Sequence, residues 1–84
     1  MRNPFSTLPQ DASLDAICGL AGRLFEKRKA NNRHTDFDTE VWYLAGDAMD
    51  RGFDALIGMT KKQVAGEMGT SVSRHLDAER GKRR

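Results

Sequence analysis

Between Leu14 and Phe25 the apolar residues recur at spacings of three and four: Leu14, Ile17, Cys18, Ala21, Leu24 and Phe25. An α-helix brings such positions onto one side, whereas a strand would divide them between two faces. No alternating apolar–polar stretch of useful length, no internal repeat and no low-complexity segment appears elsewhere, so the chain reads as all-α. Gly19 and Gly22 interrupt the stripe. Each costs roughly 1 kcal/mol in a helix interior relative to alanine, but each also permits close approach of another helix. With 84 residues, 38% of them hydrophobic, the chain can build one modest core in a single domain spanning 1–84.

Start and stop signals divide the chain further. Residues 1–10 hold both prolines, Pro4 and Pro9, and read as an irregular lead-in from which Phe5 and Leu8 can pack back on the core. Asp11 or Ser13 can cap the first helix, which loses its pattern at Asn31-Asn32. Thr35 to Asp38 offers caps for a second helix, with Val41, Leu44, Ala45, Ala48 and Met49 on one face and Trp42 or Phe37 at its edge. Trp42 and Tyr43 point about 100° apart on a helix, so one can be core while the other is exposed. Arg51-Gly52 is the expected stop. Phe53, Leu56 and Ile57 suggest a short third helix, or a continuation of the second, over 53–58. Thr60 and Gln63 have capping-box spacing and open a helix over 61–68 with Val64, Ala65 and Met68 inward. Gly69 is placed to end it. Thr70-Ser71 can cap a last helix carrying Val72 and Leu76 to about Arg80-Gly81. The basic tail 81–84 is expected to fray. The total is a small bundle of four to five helices.

Several function classes are disfavoured. There is no run of 18 apolar residues, so no membrane span is expected. The opening MRNPFSTLPQ lacks the apolar segment and cleavage site of a secretory leader. A lone cysteine, Cys18, cannot form an internal disulfide and suits a reducing cytoplasm. On an apolar face it is most simply a buried, inert thiol. His34 and His75 lie far apart, so no metal ligand set and no nucleophile–base pair is visible. No glycine-rich phosphate loop follows a strand. The expectation is a non-enzyme with no cofactor and no metal.

Net charge is only +2, but it is unevenly distributed. Residues 23–33 are basic, with Arg23, Lys27, Arg28, Lys29 and Arg33 against Glu26. Residues 36–54 are acidic, with Asp36, Asp38, Glu40, Asp47, Asp50 and Asp54 against Arg51. Residues 60–84 are basic again: Lys61, Lys62, Arg74, Arg80, Lys82, Arg83 and Arg84 outnumber Glu67, Asp77 and Glu79. A basic segment can follow a phosphate backbone and an acidic one can meet a basic protein; both can equally be solvated helix faces, or pair with each other.

Residues 60–76, TKKQVAGEMGTSVSRHL, resemble the helix-turn-helix of repressor-type DNA-binding proteins. Thr60 and Gln63 open the first helix, Ala65 falls where two helices press together, and Gly69 falls at the turn. The resemblance implies a C-terminal helix-turn-helix with Ser71, Ser73 and Arg74 facing the major groove. Arg74 would read guanine through paired hydrogen bonds. Lys61, Lys62, Arg80, Lys82, Arg83 and Arg84 would contact phosphates of double-stranded DNA. A homodimer on a two-fold site would follow, of the kind phage and plasmid regulators use. The stripe Leu14, Ile17, Leu24 and Phe25 would then be either its dimer face or simply core. One departure stands out: the family's buried aliphatic falls about six residues after the glycine, where this chain has His75.

Two other readings fit the same residues. Val64, Met68, Val72 and Leu76 are spaced by fours without interruption, which suits one continuous helix over 61–80 with Gly69 inside it. And the chain can be a small helical inhibitor that docks on a larger protein with a basic groove. Asp36, Glu40, Asp47, Asp50 and Asp54 would then be its contact face, and an exposed aromatic beside them would be an anchor.

Overall fold

The chain was examined as a computed structural model describing residues 3–32 and 34–82. Three helices carry the fold: α1 (Leu14–Asn31), α2 (Phe37–Arg51) and α3 (Lys61–Lys82). A 3₁₀ turn at Asp54–Leu56 joins the last two, and no strand occurs among the described residues. The all-α expectation therefore holds, while the count of four to five helices does not. The 53–58 segment forms a single 3₁₀ turn, and the helices expected on either side of Gly69 are one.

Local chemistry fixes the helix ends much as the sequence suggests. The Ser13 hydroxyl accepts the Ala16 N–H at 3.1 Å and starts α1. One Asp36 carboxylate oxygen accepts both the Thr39 N–H and the Thr39 hydroxyl at the start of α2. Gly52 ends α2 in the left-handed region, at φ 77°, with its N–H donating to the Met49 carbonyl. A side chain there would be strained, which is why glycine serves. At α3 the capping box forms in full: the Gln63 N–H donates to the Thr60 hydroxyl at 3.1 Å, and the Gln63 carboxamide oxygen accepts the Thr60 N–H at 2.9 Å.

The helices run up, down and up. Phe25 meets Phe37 edge-on at 5.2 Å, and the Arg28 guanidinium donates to Glu40 and reaches Asp47 at 3.5 Å, so α1 and α2 are antiparallel. The Lys61 side chain crosses Gly46 while Gly69 faces Val41 and Phe37, so α2 and α3 are antiparallel too. His75 lies on Gly22 and reaches Glu26 at 3.5 Å, which joins the later parts of the parallel pair α1 and α3. A Cβ on Gly22 would stand 3.0 Å from the His75 ring, so this close approach needs glycine.

The core gathers Phe5, Ile17, Phe25, Leu44, Phe53, Val64, Met68 and Val72, all fully buried. Within the first-helix stripe, Ile17, Cys18, Ala21 and Phe25 are buried, with Leu14 and Leu24 packed beside them. That stripe is accordingly core of the single chain. The lead-in has no helix but is firmly tied. Phe5 packs edge-on against Phe53 at 6.3 Å, the Asn3 carboxamide donates to the Asp47 carbonyl at 2.7 Å, and Arg51 donates to the Leu8 carbonyl at 3.0 Å. The Gln10 carboxamide donates to the Gly52 carbonyl.

Gly69 forms no turn. It sits in the interior of a 22-residue helix, about 33 Å long at 1.5 Å per residue. Thr70 donates its hydroxyl to the Gly66 carbonyl four residues back, a bond made along an intact helix. The reason lies in the spacing by fours: Val64, Met68 and Val72 bury completely only if the helix continues through Gly69. Burying three such side chains contributes several kcal/mol, against roughly 1 kcal/mol for a mid-helix glycine. The absent side chain also leaves room for Val41 and Phe37, whose nearest atoms would stand 3.7 and 3.9 Å from a Cβ there.

Candidate functional site

The helix-turn-helix reading needs a recognition helix whose first turn is free to enter a groove. The continuous α3 removes it, because Ser71, Ser73 and Arg74 lie deep inside the helix. They also fail to share a face. Positions on a helix advance by about 100°, so Ser71 and Ser73 point about 160° apart and Arg74 a further 100° from Ser73. Ser71 is half-buried, whereas Ser73 and Arg74 are exposed. Lys62 and Arg80 are exposed on roughly the same flank as Ser73. Lys61 is committed elsewhere: its ammonium lies 4.5 Å from the centre of the Trp42 ring, a cation–π contact between α3 and α2. The Lys82 side chain, Arg83 and Arg84 lie outside the described residues, as does Arg33.

The acidic candidates have also been reassigned, mostly to structural work. Asp36 caps α2. Glu40 and Asp47 pair with Arg28. Asp54 opens the 3₁₀ turn and lies 3.5 Å from the Gln10 carboxamide. Of the five, only Asp50 is exposed without a partner among the described residues, and Asp38, one turn into α2, is similarly placed. A simple count of acids in the sequence does not separate these two roles. The i to i+12 and i to i+19 distances from Arg28 are visible only once α1 and α2 fold back on each other.

What remains on the outside of α2 is aromatic. Trp42 is 43% exposed and Tyr43 is 59% exposed, so neither is core. The expectation that one of the pair would be buried is corrected: Val41 and Leu44 on either side take the inward positions, and the lysine, not the core, covers part of Trp42. Thr39, Tyr43, Gly46 and Asp50 follow spacings of four, three and four and so form one outward stripe, with Trp42 on its flank. A third large apolar residue is exposed. Ile57 is 78% exposed on the turn between the 3₁₀ segment and α3, next to Gly58 at φ 85°. It had looked like a core position because it follows Leu56, but a 3₁₀ turn can bury only one of such a pair, and Leu56 is the buried one.

Other chemistry is sparse. Burial pushes the Cys18 thiol up to about 11, with the carboxylates of Glu67 and Asp15 adding to it. A thiol held neutral in this way is a poor nucleophile. No group of three or more histidine, cysteine or carboxylate side chains gathers as a metal site among the described residues, and no helix there is long and apolar enough to cross a membrane. Compared with family models, with curated proteins and with solved structures, the chain matches none.

Proposed function

We propose that this chain is a small helical protein-binding module that docks through the outward side of α2 onto a partner with a basic surface. The observation that carries the reading is the pair Trp42 and Tyr43, adjacent, both exposed, on a helix whose two unpaired carboxylates, Asp38 and Asp50, flank them. Large aromatics left in water on a rigid helix are the usual anchors of an interface, since they bring much contact area at little cost in lost motion. A helix presenting anchors at spacings of three and four fits a groove. The flanking carboxylates favour cations on the other side and speed encounter with them. A nucleic-acid-handling protein whose groove ordinarily takes phosphate has that character, and occupying its groove would make this chain an inhibitor.

The DNA-binding regulator has less behind it, since its base-reading residues are dispersed around α3 and Lys61 is held on Trp42. The two readings separate in one comparison. Host lysate is passed over immobilised wild type, Tyr43→Ala, Asp50→Lys and a control, Lys27→Glu, on the exposed face of α1. A protein retained by wild type and by the control, and lost from both α2 variants, is the expected result. In parallel, anisotropy of a random 30-base-pair duplex is followed across salt concentrations. Salt-sensitive duplex binding that Tyr43→Ala leaves intact, with no protein lost from the α2 variants, would overturn the docking reading in favour of DNA.

A further inference from the structure

Where α2 gives way to the 3₁₀ turn, the surface holds a shallow apolar dent of about 140 Å³, lined by Met49, Gly52, Phe53, Leu56 and Ile57. A cavity of comparable size, about 150 Å³, accommodates a benzene molecule, so the dent matches one aliphatic or aromatic side chain. Two exposed carboxylates belong to its rim by chain position: Asp50 follows Met49, and Asp54 follows Phe53. The nearest cation of the same segment, Arg51, is already engaged by Gln10, the Leu8 carbonyl and the face of Phe53. Asp50 is also the last member of the outward stripe of α2, so the dent continues the surface that carries Tyr43.

We infer that this dent is a socket for one apolar side chain of a basic amphipathic helix, with lysine or arginine residues on either side of that side chain meeting Asp50 and Asp54. The inference rests on the docking reading above and narrows its partner to a class. Charge complementarity selects the occupant. A second copy of this chain would bring like-charged carboxylates against Asp50 and Asp54, and an uncharged apolar helix would leave both carboxylates partly desolvated without a counter-ion. A helix with an apolar stripe between cations satisfies socket and rim together. Ile57 forms the outer wall. It is mostly in water, so trimming it changes the socket without disturbing the core.

The test uses two fluorescein-labelled 14-residue peptides of equal charge, titrated into the full chain by anisotropy. One alternates lysine and leucine in helical register; the other has serine for each leucine. The lysine–leucine peptide should bind wild type at least tenfold tighter than the lysine–serine peptide. Ile57→Ser and Asp54→Lys should each weaken the lysine–leucine peptide at least fivefold, and Ile57→Ser should leave the lysine–serine peptide within twofold. Equal binding of the two peptides, or indifference of the lysine–leucine peptide to Ile57→Ser, would overturn the socket. Tyr43→Ala reports on the parent reading separately: if it leaves both peptides unchanged while Ile57→Ser does not, the socket stands and the role given to α2 falls. Circular dichroism of each variant checks that the helical fold is retained.

Discussion

The two halves of α3 are built from the same apolar spacing and end in different surroundings. From Lys61 to Val72 the helix lies against both α1 and α2, with Val64, Met68 and Val72 fully buried. From Ser73 onward it has passed the start of α2 near Gly69 and lies against α1 alone, where Leu76 is only half-buried. The sequence step of four is unchanged across that boundary, so the difference comes from how far the neighbouring helices reach. Periodicity tells which side of a helix faces inward; the length of its partners decides how deep.

The sharpest way to break this comparison is to empty each half in turn. Met68→Ala should cost roughly 2–5 kcal/mol, enough in a chain of this size to lower the melting temperature by tens of degrees or abolish a cooperative transition. Leu76→Ala should cost about 1 kcal/mol, in proportion to the smaller area it removes from water. Thermal denaturation followed by circular dichroism at 222 nm measures both, and equal losses would mean that the halves are packed alike.

Between these two in size stands an alkaline effect confined to the inner half. The Cys18 thiol titrates at about 11 in the folded chain, above its ordinary value of 9.0, chiefly because it is buried and secondarily because Glu67 of α3 and Asp15 are near. The folded state thus holds this proton more tightly than the unfolded state. Its contribution is complete below pH 9 and is lost as pH rises toward 11, at about 1.4 kcal/mol per unit of difference. Urea denaturation should show a fall over that window in wild type and a smaller one in Cys18→Ala; identical profiles would remove Cys18 as the cause. The same burial should make labelling by a thiol reagent at pH 8 slow until denaturant is added.

The smallest expected effect is the most diagnostic, because it changes sign. Gly69→Ala should stabilise the chain by about 0.5–1 kcal/mol, since alanine is the better helix former and its Cβ would meet Val41 and Phe37 at ordinary contact distance. Were Gly69 a left-handed turn, the same substitution would destabilise it. Gly22→Ala provides the contrast: the His75 ring would stand 3.0 Å from the new atom, and the expected change is a loss.

Much of this architecture was legible because it depends on neighbours close in sequence. The Thr60–Gln63 box, the Gly52 stop, the break at Asn31-Asn32 and the inward faces of α1 and α2 all follow from spacings within a turn or two. The misreadings share one cause. Gly69 offers a local stop, and the long-range burial of Met68 and Val72 overrides it. The acids of α2 look like a docking face until Arg28, on another helix, takes up Glu40 and Asp47. Ile57 continues an apolar pattern that the 3₁₀ turn cannot bury on both sides. Of the candidate surface, the aromatic anchor beside the acids was visible as a type of residue, but which acids remain unpaired was set by tertiary structure.

The chain holds a single tryptophan, and Trp42 is stacked under the Lys61 ammonium where α2 meets the first turn of α3. Its indole is therefore a built-in optical probe of one junction. Emission from a half-wet ring beside a cation should shift to the red and change intensity when α3 peels away, and to the blue when another molecule covers it. Unlabelled chain in a cuvette can thus distinguish opening of the bundle from occupation of its outer helix by the direction in which one spectrum moves.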